Sequence, residues 1–238
     1  MDYSFTIIVP IYNEEDNLER LEKALISYLK KAAVSTKVLF INDGSNDGSQ
    51  TLIEAMCCSC EEFEFITFSE NKGLSTALKA GFDHVSTSLV GYMDADLQTN
   101  PEDFNLLLEH VETYDLVTGV RSDRKDSFLK KLSSKLANSV RRLFTKDGVD
   151  DTGCPLKIIK TEAAKRIPMF RGLHRFLPAM ILLQQGTVKQ VHVRHYPRVA
   201  GQAKFGFWNR SIGPLVDCFV FLWMKKKYIN YGISKTSK

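Results

Sequence analysis

The sequence is poor in residues that break or staple a chain, with only 14 Gly, 7 Pro and 5 Cys in 238 residues. So little Gly and Pro excludes a collagen-like or low-complexity chain, and 44% hydrophobic with 25% charged residues excludes a disordered one. Three of the cysteines, Cys57, Cys58 and Cys60, crowd a stretch with no His nearby, and their spacing suits neither a disulfide framework nor a two-pair zinc site. They read as incidental thiols of a reduced, cytosolic protein. No apolar run reaches the roughly 18 residues a bilayer span needs. The first apolar run, Phe5 to Tyr12, has no basic flank and contains Pro10, so no signal peptide is expected. No G-x-G-x-x-G follows that run, which excludes a dinucleotide fingerprint.

Acids are also scarce at one end. Residues 189–238 hold ten Lys/Arg against the single acid Asp217, and residues 121–146 hold nine against Asp123 and Asp126. With a net charge of only +4, the rest of the chain is net acidic. Basic blocks on an acidic chain point to nucleic acid, an anionic membrane or phosphorylated substrates. Nucleic acid is set aside because aromatic residues do not interleave with the cations as a stacking surface requires. A chain of this length buries a full core without staples.

Strand and helix patterns alternate through the first half. Phe5-Thr6-Ile7-Ile8-Val9 is short, apolar and β-branched, as a strand buried on both faces should be. Glu14 to Lys31 carries Leu18, Leu21, Leu25 and Leu29 at helical spacing, with acids at its N-terminal end where the dipole favours them. Further strands are predicted at 37–41, 63–68, 89–93 and 115–120. Helices are predicted at 50–58 and 74–85, and from Pro101, a first-turn residue, to about Glu112. The second half is less regular: an apolar helical stripe from Phe128 to Leu143, a strand at 156–159, helices at 162–166 and 174–183, and a strand at 188–193. A last helix over 207–224 is apolar on most sides and stops at Lys225-Lys226-Lys227. This order predicts an α/β fold, a mostly parallel central sheet with helices on both faces. Ligands of such sheets bind at the carboxyl ends of the strands. Polar residues collect there: Tyr12-Asn13-Glu14, Asp43-Gly44-Ser45, Asn71-Lys72-Gly73, Asp94-Ala95-Asp96 and Arg121.

Asp94 and Asp96 end one such strand. Two carboxylates one residue apart, aimed into a cleft, repel unless a cation lies between them. Oxygen ligands select a hard ion, Mg²⁺ or Mn²⁺, that shares its shell with substrate phosphates. The competing reading is an Asp-rich turn that caps the next helix; Asp43 at a second strand end favours the ion.

Ile8-Val9-Pro10-Ile11-Tyr12-Asn13-Glu14, Asn42-Asp43-Gly44-Ser45-Asn46-Asp47-Gly48 and Asp94-Ala95-Asp96-Leu97-Gln98 resemble, in order and spacing, the three signatures of family 2 glycosyltransferases of GT-A fold. Asn71-Lys72-Gly73-Leu74 and Gly119-Val120-Arg121 also fit. Asp151-Thr152-Gly153-Cys154, His174-Arg175-Phe176 and Arg198-Val199-Ala200-Gly201-Gln202-Ala203-Lys204 look like the dolichol-phosphate mannose synthase branch, which glycosylates a polyprenyl phosphate. The resemblance implies that Pro10, Tyr12, Glu14, Ile41 and Asp43 hold the donor nucleoside. It implies that Asp94, Asp96 and Gln98 bind the metal, with Ala95 in the backbone between them, and that Arg121, Arg198 and Lys204 neutralise donor or acceptor phosphate. Asp96 and Asp151 are the candidate catalytic residues. Asp151 is a base, a carboxylate that stabilises an oxocarbenium ion, or a structural Asp beside a helix. Where the branch has Ser before the motif Lys, this chain has Ala203. His174 and His195 have no His or Cys at ligand spacing and read as structural, with His174 near the acceptor cleft.

The expected organisation is a GT-A domain over 1–206 and an amphipathic, basic C-terminal helix and tail over 207–238. The helix either lies in the membrane interface or packs on the domain or at a homodimer interface. The expected activity is inverting transfer of a hexose from a UDP- or GDP-sugar to a polyprenyl (dolichyl or undecaprenyl) phosphate. The protein would then be cytoplasmic, peripheral at the inner face of the cell membrane. The alternative is direct transfer to a saccharide or glycolipid acceptor in cell-surface polysaccharide synthesis, which would require a general base.

Overall fold

The computed structural model of the protein describes residues 3–122, 139, 141–197, 207–229 and 235. In chain order it has strand β1 (Phe5–Ile11), helix α1 (Glu15–Leu29), β2 (Thr36–Asn42), α2 (Ser49–Ser59), β3 (Phe63–Thr67), α3 (Leu74–His84) and β4 (Leu89–Tyr92). A 3-10 turn at Pro101–Asp103 leads into α4 (Phe104–Leu108), followed by β5 (Leu116–Ser122), β6 (Lys157–Lys160) and α5 (Thr161–Lys165). A second 3-10 turn, Leu173–Phe176, leads into α6 (Leu177–Leu183), then β7 (Val188–Arg194) and α7 (Phe207–Lys227).

The seven strands form one sheet in the order β3-β2-β1-β4-β6-β5-β7. Only β6 opposes the rest, antiparallel to both β4 and β5. The chain steps outward from β1 to β3 and then returns to the other side of β1 with β4. That reversal leaves a crevice beyond the carboxyl ends of β1 and β4, where open α/β sheets bind ligands.

Alternating residues of β1 supply the two cores. Phe5, Ile7, Val9 and Ile11 pack with Leu18, Leu21, Ile53 and Phe104 of α1, α2 and α4. Ile8, with Leu39 and Ile41 of β2, packs on the opposite face with Leu78, Phe82, Ala164 and Ile181 of α3, α5 and α6. Each such side chain contributes roughly 1.5–3 kcal/mol of burial, and continuous apolar runs with both faces covered are what parallel strands require.

Two elements differ from the sequence reading, and a third is described only in part. The helix expected from Pro101 to Glu112 is a capped 3-10 turn, the Asn100 side chain accepting from Glu102 N–H at 3.0 Å, and a single short helix. Beyond Leu108, bonds such as His110 N–H to the Leu107 carbonyl (3.1 Å) tighten the chain and bring Val111 into the core. The stripe from Phe128 to Leu143 lies mostly outside the described residues, of which 141–145 are helical. The last helix extends to Lys227 and docks one side on the body. Cys218 and Phe221 are buried, Phe221 stacks on Phe176 with centroids 5.4 Å apart, and Arg175 pairs with Asp217 at 3.2 Å. Its outer side is apolar where an amphipathic helix would be polar: Val216 is 54% and Trp223 66% exposed, alongside Leu215 and Phe219.

Candidate active site

The loop after β2 is built around Asp43. Its carboxylate is buried and accepts from Lys72 N–H at 2.7 Å, Gly73 N–H at 2.8 Å and Asn71 Nδ2 at 2.9 Å. A carboxylate offers about four acceptor positions, and three of those of Asp43 tie the loop before α3 to the end of β2. Gly44 makes the approach possible. It has φ +67°, and a Cβ there would lie 2.4 Å from the Glu70 carbonyl carbon.

The loop after β1 is braced to the same turn. Asn13, itself at φ 51°, accepts from Asn46 N–H at 2.9 Å and donates its own N–H to Ser45 Oγ at 3.0 Å. Glu14 N–H donates to Ser49 Oγ at 3.0 Å, and the Glu14 carboxylate accepts from Asn17 Nδ2 at 2.6 Å, holding the first turn of α1. Pro10 and Tyr12 are half-buried at the end of β1. Ile41, opposite Pro10 in the β1–β2 register, puts its side chain in the core, so only its backbone can face a donor.

Past β4 the chain turns through Asp94 to Gln98. Asp94 is half-buried, and Asp96, 6% exposed, accepts from Gln98 N–H at 3.1 Å across Leu97. Leu97 is held at φ 54°, a left-handed conformation costing a branched side chain roughly 1–2 kcal/mol. Ala95 points into the core. The Gln98 carbonyl accepts from Tyr196 N–H at 2.9 Å, so the segment leaving β7 begins against this turn. Arg198 and Lys204, further along that segment, lie outside the described residues. Among the described residues no group of three His, Cys, Asp or Glu could hold an ion alone. Two carboxylates at a strand end still fit a hard divalent ion, which takes one or two carboxylates and completes its shell with phosphate oxygens and water.

Arg121, at the end of β5, meets Asp151 in a two-point contact: Nε to Oδ2 at 2.7 Å and a terminal nitrogen to Oδ1 at 2.9 Å. Burial alone would raise the Asp151 pKa, but the Arg121 hydrogen bonds and charge outweigh it and hold the carboxyl below its usual range. An anion fixed this way is a poor general base. It orients the guanidinium and adds negative charge to the site.

The Glycosyl transferase family 2 model matches residues 6–167, the span that holds every one of these loops except the one after β7. The chain belongs to that family. It is 32% identical over 206 residues to an undecaprenyl-phosphate 4-deoxy-4-formamido-L-arabinose transferase from Shewanella sediminis, covering 86% of this chain and 62% of that one. Identity to the transferase of the same name from Edwardsiella ictaluri is 29% over 203 residues, 84% of this chain and again 62% of the other. The chain thus spans about three fifths of these curated relatives. In structure it resembles glucosyl-3-phosphoglycerate synthase from Mycobacterium tuberculosis, solved with Mn²⁺, UDP and glucosyl-3-phosphoglycerate (TM-score 0.72, 14% identity, 97% of this chain and 82% of the other). It also resembles a mannosyltransferase from Pyrobaculum calidifontis solved with GDP-Man and Mn²⁺ (TM-score 0.67, 17% identity, 93% and 64%). The fold of this family 2 member is GT-A.

The sequence places Ser45 and Asn71 among the polar residues at the strand ends without giving them a role, and it does not single out Ser49 or Ser75; Ser45, Ser49 and Asn71 brace the loops. Ser75 Oγ accepts from Gly172 N–H at 3.0 Å and lies 2.9 Å from His174 Nδ1, which joins α3 to the 3-10 turn before α6. Burial, with the Arg175 and Lys157 charges, pulls the His174 pKa down to about 3, so its ring is neutral and structural.

Proposed function

We propose that the protein is an inverting glycosyltransferase that moves a hexose from a UDP- or GDP-sugar to a polyprenyl phosphate at the inner face of the cell membrane. The observation that carries the reading is the convergence, at the carboxyl ends of β1, β2, β4 and β5, of the braced Tyr12–Glu14 and Asp43–Gly48 loops, the Asp94–Gln98 turn and the Arg121–Asp151 pair. The relatives named for transfer to undecaprenyl phosphate support the acceptor class, and the neighbours solved with UDP or GDP-Man and Mn²⁺ support the donor class and the ion.

In this reading Tyr12 and the remaining acceptor position of Asp43 hold the nucleoside. Asp94, Asp96 and Gln98 hold Mg²⁺ or Mn²⁺ on the diphosphate. When bound, the ion stabilises the charge that develops on the departing nucleoside diphosphate. Arg121, aimed by Asp151, supplies a fixed cation to the phosphates, joined by Arg198 and Lys204. The acceptor phosphate is already an anion and attacks the anomeric carbon from the face opposite the leaving group, so configuration inverts and no strong base is needed. That Asp151 is held as a paired anion favours this acceptor over a sugar hydroxyl. The body over 1–206 carries the chemistry. The apolar outer side of α7 and Lys225-Lys226-Lys227 form the membrane contact. Among the described residues no helix is long and apolar enough to cross a membrane.

Incubation with labelled nucleotide sugars, Mn²⁺ or Mg²⁺ and a polyprenyl phosphate tests the reading. Label should enter the organic phase only with an ion and the lipid phosphate present. Label appearing instead on a saccharide acceptor, or transfer at full rate in EDTA, would overturn it.

A further inference from the structure

Lys157 opens β6 fully buried, and among the described residues its hydrogen-bond partners are all neutral. Its Nζ donates to the Thr152 carbonyl at 3.3 Å, to the Cys154 carbonyl and to Tyr92 Oη at 3.3 Å, and lies 5.2 Å from the centre of the Tyr92 ring. An ammonium has three N–H donors and no acceptor, and these three oxygens use all of them. A buried cation without a contacting carboxylate is costly, so its placement calls for a role.

The three partners border the site. Tyr92 is the last residue of β4, paired with Lys157 across the antiparallel ladder and two residues before Asp94. Thr152 follows Asp151. Cys154 packs so closely on Gly119 that a Cβ there would lie 2.8 Å from its sulfur, two residues before Arg121. One side chain therefore bridges the strand that delivers the Asp94–Asp96 turn and the loop that delivers Asp151. Methionine, of similar length, would leave two carbonyls and a hydroxyl without donors.

We infer that Lys157 is a positioning residue of the donor site: its three hydrogen bonds fix the Asp94–Asp96 turn relative to the Arg121–Asp151 pair. The inference rests on the donor-site reading above.

The test uses the full chain with two readouts, steady-state transfer and titration with Mn²⁺ alone. In Lys157→Met, kcat should fall by about tenfold or more with the donor KM changed by less than about threefold, because the nucleoside loops are untouched. Its Mn²⁺ dissociation constant should rise by about threefold or more, because the Asp94–Asp96 turn is no longer held in place. Tyr92→Phe keeps the ring and the ammonium but loses one bond. Its kcat should drop by about threefold or more. Lys157→Met that melts earlier yet keeps kcat and Mn²⁺ affinity would make the residue structural only and overturn the inference. Should that variant fail to fold, Tyr92→Phe decides alone, and parental kcat in it overturns the positioning role. A parent protein that neither binds Mn²⁺ nor transfers sugar would overturn the donor-site reading together with this one.

Discussion

Arg121 and Asp151 meet as a fork on a fork, 2.7 and 2.9 Å apart, with the Arg121 backbone N–H adding a third contact to the same carboxylate at 3.3 Å. Both side chains are largely buried, and breaking a buried ion pair costs roughly 3–5 kcal/mol.

Asp151→Asn should therefore lower the thermal midpoint and reduce transfer, since Arg121 loses its orientation. The pair also carries a pH signature. A carboxylate whose folded pKa is depressed stabilises the fold above its unfolded pKa, about 3.9, and that contribution is lost as pH falls below it. Acid titrations of stability should be steeper below about pH 4 in the parent than in Asp151→Asn. Parallel curves would show that the pair adds nothing.

His174 acts at a higher pH with the same sign. Its folded pKa of about 3 lies below the unfolded value of about 6.5, so its contribution is complete above pH 6.5 and drains as pH falls toward 3. Denaturant midpoints should decline from pH 7 to 5 in the parent and decline less in His174→Phe. A parental slope in that variant would rule His174 out as the cause.

Asp43→Asn should loosen the nucleotide site. An amide cannot accept from Lys72 N–H, Gly73 N–H and Asn71 Nδ2 together, and each lost partner costs about 1–3 kcal/mol. Calorimetry with UDP and GDP should show binding weakened by tenfold or more. Parental affinity for both would remove Asp43 from the site.

Asp96→Asn separates metal binding from folding. The amide oxygen still accepts from Gln98 N–H, so the thermal midpoint should stay within about 3 °C of the parent, while Mn²⁺ binding and transfer are lost. Transfer persisting at the parental rate would refute the metal assignment.

The outer side of α7 is tested by Val216→Glu combined with Trp223→Glu, both exposed and two turns apart on one face. Truncation before the helix would be uninformative, because Phe221 and Cys218 belong to the core. The parent should sediment with anionic liposomes and the double variant should not, with its midpoint unchanged. A parent that stays in the supernatant and sediments as a dimer would assign the face to a second copy.

Much of this was legible in the sequence because it is local. Apolar β-branched runs followed by Asp, Asn and Gly place β1, β2 and β4 and the loops behind them within a residue or two. The unread part depends on distant neighbours. The run at 156–159 reads as a strand, but its direction is set by β4 and β5, which flank it. Asp151 finds Arg121 only because β5 and β6 are adjacent. Nothing in the strand pattern at 156–159 marks Lys157, which that same placement buries. The apolar circumference of the last helix shows in its sequence, but which side docks is decided by Phe176 and Arg175.

The lone reversed strand also bears on synthesis. β5 has no edge to join until β6 arrives, since β6 lies between it and β4. At ribosomal speed the interval is on the order of a few seconds, and throughout it β1 to β4 can assemble while Leu116 to Ser122 waits as an unpaired apolar strand. The nascent chain is most exposed to misassociation in that window, and substitutions within β6 should lower yield more than they lower the stability of whatever protein does fold.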